Sequence, residues 1–221
     1  TCFIIGNFFG TGNLQLNIDQ SEYGFGRVSI KNNYAHWISV QTLDITDGYS
    51  SLLIDGNHLD GYDSSYLSLF TPNPPNYAIF VAHSSSGVTS ATVVNNHTNF
   101  GRYNSLVYGY DTGVDVQSSG IITGNIVRGL KTSGTGIRAS AGTGSAIRNY
   151  TICQNQIYRS AAAISAFIRM PSGGTKATGI CTDNFFDSTT IDGSSLDVAP
   201  NASNTFVVTR NKRSEEHTSE L

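Results

Sequence analysis

The sequence predicts an all-β solenoid of about eight stacked coils, and three observations predict it. The first is a recurring unit: an apolar residue, two variable residues, an Asn, one variable residue and a second apolar residue. Ile122, Asn125 and Val127 form one copy, and the unit returns around Asn7, Asn33, Asn57, Asn155 and Asn184. Asn96 has Val93 before it and only Thr98 after it, and Asn211 keeps Val208 but loses its second half. The second observation is spacing. These asparagines are separated by 26, 24, 39, 29, 30, 29 and 27 residues, and a period of 20–50 residues marks stacked repeats. Turn asparagines of a sandwich would follow strands every 8–12 residues without such a superperiod. The third is composition: charged residues are 13% and glycines number 23, too little Ala, Leu, Glu and Lys for long helices. The 38% of hydrophobic residues, set at regular positions, argue against disorder.

Within a unit, two short strands meet at a corner. Asn tolerates the left-handed backbone that a sharp corner needs. The flanking apolar residues point inward onto their equivalents in the next coil. Stacked Asn amides can bond along the stack, as in other layered β structures, which satisfies a group that would otherwise be buried unpaired.

Along the chain, Leu14, Leu16 and Ile18 alternate with Gln15 and Asn17, a strand with one polar face. Ile38 and Val40 repeat the pattern around Ser39, before Gln41. The 39-residue interval exceeds its neighbours, and the surplus falls in Gly61 to Ala78. That excursion holds Tyr62, Tyr66, Phe70, Tyr77 and three of the five prolines. Aromatic rings there suit either a wall for sugar rings or a loop that buries its own side chains. Further first strands are expected at Ala78–Ala82, Val114–Gln117, Ile137–Ser140 and Ala163–Phe167. From Thr190 to Asn204 the pattern weakens.

On these units the chain resembles the right-handed parallel β-helix superfamily, which includes pectate lyases, polygalacturonases and the tailspike depolymerases of bacterial viruses. The resemblance covers most of residues 1–211 and implies a right-handed single-stranded parallel β-helix. It also implies a working face on an exposed sheet flanked by long loops. The acidic cluster of a pectate lyase calcium site and the paired aspartates of polygalacturonases are both missing.

Aligned by their inward residues, the first strands present outward pairs Gln15/Asn17, Ser39/Gln41, Phe80/Ala82, Asp115/Gln117, Arg138/Ser140 and Ser165/Phe167. Strands stacked about 4.8 Å apart would set Asp115 beside Arg138. This is read either as a cross-strand ion pair or as the centre of catalysis. A carboxylate beside a guanidinium stays ionised, which suits a nucleophile or base better than an acid. Glycoside hydrolysis needs a second carboxyl group, for which Asp111 and then Asp44 are the candidates. In a lyase, Arg138 would assist an enolate. Gln41, Phe80, Gln117, Ser140, Tyr62 and Tyr66 are the expected substrate contacts.

His58 and His97 directly follow ladder asparagines, where Phe8 and Tyr34 stand in earlier coils, so a surface stacking ladder is expected rather than a metal site. Asp60 to Asp63 reads as a turn, with only a weak calcium signal. Gly142 to Thr151 has no phosphate-loop lysine and no following helix. No cofactor motif, basic patch or apolar run long enough to span a membrane is visible. Cys2, Cys153 and Cys181 form neither a paired framework nor a metal motif. Cys153 and Cys181 are expected as small core residues in or beside inward positions.

Residues 1–212 are expected to be one β-helix fragment that begins inside a coil. Arg213 to Leu221, RSEEHTSEL, matches the translation of the sequencing adapter AGATCGGAAGAGCACACGTCTGAACTC. Without it, 12 basic and 13 acidic residues remain and Glu22 is the one glutamate. Carboxylate chemistry then falls mostly on aspartates.

Three functions are consistent with this reading. The first is a polysaccharide-binding and polysaccharide-degrading β-helix of a viral tailspike, as a homotrimer assembled through missing regions. The second is a non-catalytic spike, adhesive or spacer segment. The third is a secreted microbial polysaccharide lyase or glycoside hydrolase. The expected location is a virion tail or the extracellular space. A trimer-forming tail in the flanking gene would favour the first, a signal peptide the third.

Overall fold

The computed structural model describes residues 2–8, 14–18, 27–35, 37–42, 51–60, 77–83, 90–99, 110–117, 119–128, 130–139, 148–158, 166–170, 177–187, 194–198 and 205–213. The side chains of some residues in these strands are not described. Among the described residues the strands form three parallel sheets of eight, seven and seven strands, wound as a right-handed parallel β-helix. Every coil repeats one path. A strand of sheet A leads through the Asn corner to a short strand of sheet B, then to a strand of sheet C, then back to sheet A one coil on. Strands β6 (Ser51–Asp55), β7 (His58–Asp60) and β8 (Tyr77–His83) are one such passage.

Apolar residues stack in files along the lumen. Ile30, Ile54, Val93, Ile122, Ile152 and Cys181 occupy one register position and are all fully buried. A coil of this length has no second layer to cover it, so these files are its core. Burial pushes the Cys181 thiol up to about 12, which marks it as an inert packing group. Cys153 lies on the outer side of its strand, half-buried, with its Sγ 3.2 Å from Thr123 Oγ1.

The Asn ladder is continuous from Asn7 to Asn211. Each Asn directs both its backbone N–H and its Nδ2 at the Oδ1 of the next; for Asn125 and Asn155 these distances are 3.1 and 3.0 Å. A third contact runs from Nδ2 back to a sheet A carbonyl, 2.9 Å from Asn125 to Val93. Asn184 donates to Asn211 at 3.0 and 2.8 Å. After Asn211 the apolar residue of the unit is replaced by Arg213, yet Lys212 and Arg213 still form a short strand paired with Phe185 and Phe186.

The left-handed backbone sits one residue earlier than the pattern suggests. Positive φ falls at Gly6, Asn32, Gly56, Asn95, Gly124, Gln154, Asp183 and Arg210, each directly before a ladder Asn. The corner turns at that residue and leaves the ladder Asn free to point its amide inward. Thr98, the weak member of the pattern, is fully buried, with its hydroxyl 3.2 Å from the Arg128 carbonyl and 3.3 Å from the Arg128 N–H. The buried hydroxyl thereby keeps hydrogen-bond partners where other coils place a hydrocarbon.

Three strands of sheet C differ from expectation. β11 (Tyr110–Val116) begins earlier and contains Asp111 rather than following it. β14 (Leu130–Ala139) starts seven residues before Ile137, carrying buried Gly134, Thr135 and Gly136. The strand expected at Ala163–Phe167 is β17 (Ala166–Met170). A strand also fills the weak region, β20 (Ser194–Val198).

Candidate functional site

Sheet C carries the outward column that the alternation predicts. Ile79 and Val81, Val114 and Val116, and Ile137 and Ala139 are buried, and the half-buried Phe80 and Arg138 lie on the outer face. Register then places Ser39, Phe80, Asp115 and Arg138 side by side. Asp115 is directly opposite Arg138, as the spacing implied. The next coil departs from the reading: Arg138 pairs with Arg169, not Ser165, and Arg169 pairs with Asp197. Ser165 and Arg169 are four residues apart in the sequence, an even number, so a period-2 pattern cannot tell one from the other.

Three side chains converge on this face. Tyr77 opens β8 where the excursion ends, and its ring lies on Phe80 with centroids 4.5 Å apart and planes 16° apart. Arg138 reaches across the intervening strand to Tyr77. Its Nη2 donates to the Tyr77 hydroxyl at 3.1 Å, and its guanidinium carbon lies 5.5 Å from the ring centroid. An offset aromatic pair and a guanidinium hydrogen-bonded at the ring's edge hold one another in place. Tyr77 was legible only as one of the aromatics of the excursion; its position at the head of a strand was not.

The remaining candidates fall into two groups. Gln41, Asp111 and Asp115 are placed by backbone: Gln41 pairs with Ala82, and Asp111 lies four residues before Asp115 in β11. Gln117 follows that strand half-buried, its N–H donating to the Val81 carbonyl at 2.9 Å. Asp44, Ser140, Tyr62 and Tyr66 lie outside the described residues, as does Asp63.

Sheet B carries the expected stacking ladder. Phe8 stacks on Tyr34 at 5.0 Å and Tyr34 on His58 at 5.2 Å, while His58 and His97 meet edge to face at 4.9 Å. The Tyr34 hydroxyl donates to Asp60 Oδ2 at 3.0 Å, so that carboxylate belongs to the ladder. Burial foremost, then nearby His58 and Arg128, lowers the His97 pKa. Phe8, Tyr34 and His58 stack face to face along the solenoid axis and His97 meets His58 edge on, which leaves few ring faces for a sugar. Among the described residues no three His, Cys, Asp or Glu come together as metal ligands. Arg148, unmarked in the sequence reading, is fully buried at the head of β15 (Arg148–Cys153).

No protein-family model, curated protein or solved structure matches the chain.

Proposed function

We propose that the chain binds polysaccharide along the outer face of sheet C and cleaves it around Asp115 and Arg138, as the shaft of a tailspike-type depolymerase. The observation that carries the reading is the cluster of Tyr77, Phe80 and Arg138 at the end of the long excursion. Sugar rings offer C–H faces to aromatic rings and hydroxyls to guanidinium donors. A β-helix aligns such groups at the coil repeat, which suits a linear polymer. In cleavage Asp115 would act as nucleophile or base, and Arg138 would stabilise the charge that develops. The proton donor would be Asp111 or Asp44.

The test is affinity electrophoresis of the chain against a panel of bacterial capsular, lipopolysaccharide and plant-wall polysaccharides, with reducing-end release measured in parallel. Phe80→Ala should weaken retardation about 10-fold. Asp115→Asn should keep retardation and lower release by about 100-fold or more. No retardation by any polymer would overturn the reading.

A second reading has its own observation. The column runs Asp115, Arg138, Arg169, Asp197, so each cation has an acidic register neighbour and the column balances itself without a substrate. Binding without release, unaffected by Asp115→Asn, would identify a non-catalytic adhesive or structural segment.

A further inference from the structure

The outer face of sheet A differs from the other two. From β9 (Ser90–Val94) through β12 (Ser119–Thr123) to β21 (Thr205–Thr209), its outward positions carry Ser, Thr, Asn, Ile, Val and Cys and no charge. Its central column sets exposed apolar residues among small polar ones: Phe3 is 63% exposed, Ile121 and Ile180 46% each, and Val207 54%, while Ser29 is buried. Polar groups in the flanking columns already satisfy one another along the axis. The Asn149 N–H donates to Ser119 Oγ at 3.1 Å, and the Thr182 and Thr209 hydroxyls lie 3.1 Å apart. A face whose polar rows are bonded internally loses little when water leaves it.

We propose that this face seats a second copy of the chain, the two sheets packing front to front about a two-fold axis parallel to the strands. The central column supplies the argument, because it is complementary to its own reversal. Such an axis reverses the strand order and keeps each column on its equivalent. Ile180 then faces Ser29, Leu53 faces Thr151 and Ile121 faces Thr92. In these three a large residue meets a small one, at the ends of the column Phe3 meets Val207, apolar on apolar, and a shallow groove between Phe3 and Leu53 is floored by Ser29. The charges at the N-terminal end of the face fall on neutral groups: Arg27 on Thr178, Lys31 on Thr182 and Asp55 on Cys153. No like charges meet. An isologous contact requires this self-complementarity.

The area suffices. Eight strands at about 4.8 Å, each about 17 Å wide, cover roughly 650 Å² per copy, or about 1,300 Å² in all, within the range of specific interfaces.

The experiment is sedimentation equilibrium of the 221-residue chain across the micromolar range, with circular dichroism confirming that each variant folds. The wild type should dimerise. Leu53→Glu and Thr151→Lys should each weaken the dimer about 100-fold, and the double variant should recover most of it. Within one chain these residues are three strands, about 14 Å, apart, so recovery requires a contact between copies. Gln156→Lys, on sheet B, should leave the dimer unchanged. A monomeric wild type, association indifferent to the sheet A variants, or a double variant no better than either single one would overturn the proposal. So would loss of polysaccharide retardation in Leu53→Glu, which would make the face a glycan surface.

Discussion

Replacing Asn125 by Ala removes more than one hydrogen bond, and the structure says which groups are left behind. The Asn125 Oδ1 accepts from the Asn96 backbone N–H and from Asn96 Nδ2, both at 3.0 Å. Its Nδ2 donates to Asn155 Oδ1 and to the Val93 carbonyl. All of these lie in a fully buried corner. Without the amide, the Asn96 N–H loses its acceptor and the Val93 carbonyl loses a donor. At about 1–3 kcal/mol for each of the two orphaned groups, the loss is about 2–6 kcal/mol. Asn7 provides the contrast. It donates to Asn33 and Ile5 in an open coil, and among the described residues no group donates to its Oδ1, so Asn7→Ala should cost less than about 1 kcal/mol. Asn125→Asp should be worse than Ala at neutral pH, because a carboxylate cannot donate and would face three acceptors, Asn155 Oδ1 and the Val93 and Thr123 carbonyls. The assay is urea unfolding followed by circular dichroism, compared at equal m-values. Equal losses at Asn125 and Asn7, or a loss below about 1 kcal/mol at Asn125, would refute the idea that the ladder is cumulative.

Other outcomes follow from the same geometry. Gly124 has φ 65° and a Cβ there would lie 2.6 Å from Asn95 Oδ1; Gly124→Val should cost about 1–3 kcal/mol and Gly124→Asn clearly less, in the same unfolding assay. The folded state lowers the His97 pKa below its ordinary 6.5, so the unfolded chain binds the proton more readily. That contribution to stability is complete above about pH 6.5, falls as pH drops through it and levels off below the folded value. Urea midpoints measured across this window should therefore fall with acid, less so in His97→Phe; an unchanged slope in that variant would remove His97 from the account. Tyr77→Phe deletes the acceptor of the Arg138 bond while keeping the ring, and should weaken polysaccharide retardation by a few-fold, less than Phe80→Ala; equal effects would mean that the guanidinium is not positioned by Tyr77.

Much of the fold is legible because each coil repeats its instruction. An inward apolar residue on either side of Asn57 or Asn155 identifies the corner, and alternation in Val114 to Val116 identifies the buried face. Other features follow from relations between coils that no local pattern records. β14 reaches back to Leu130, where buried Gly134, Thr135 and Gly136 read as a loop in the sequence. The partner of Arg138 was misread because Ser165 and Arg169 are an even number of residues apart, so a period-2 pattern fits either, while the register selects Arg169. The positive φ was assigned to the ladder Asn, although Gln154, Asp183 and Arg210 adopt it one step earlier without a compositional sign. The face was legible, as was the register pairing of Asp115 with Arg138; the bond from Arg138 to Tyr77 joins residues 61 apart and leaves no local sign in the sequence.

The ladder also has a direction. From Asn7 to Asn184 each side-chain amide donates one hydrogen bond to the oxygen of the coil that follows, so a finished coil presents donors on its C-terminal side and the next coil arrives carrying the matching oxygen. A chain growing from its N-terminus therefore meets a template at each step. A coil that slips by one residue flips its side chains and brings the wrong atom to the waiting donors. The asparagine works as a parity check, read once per turn, and an error in one coil is detected by its neighbour before the following coil can be laid on it.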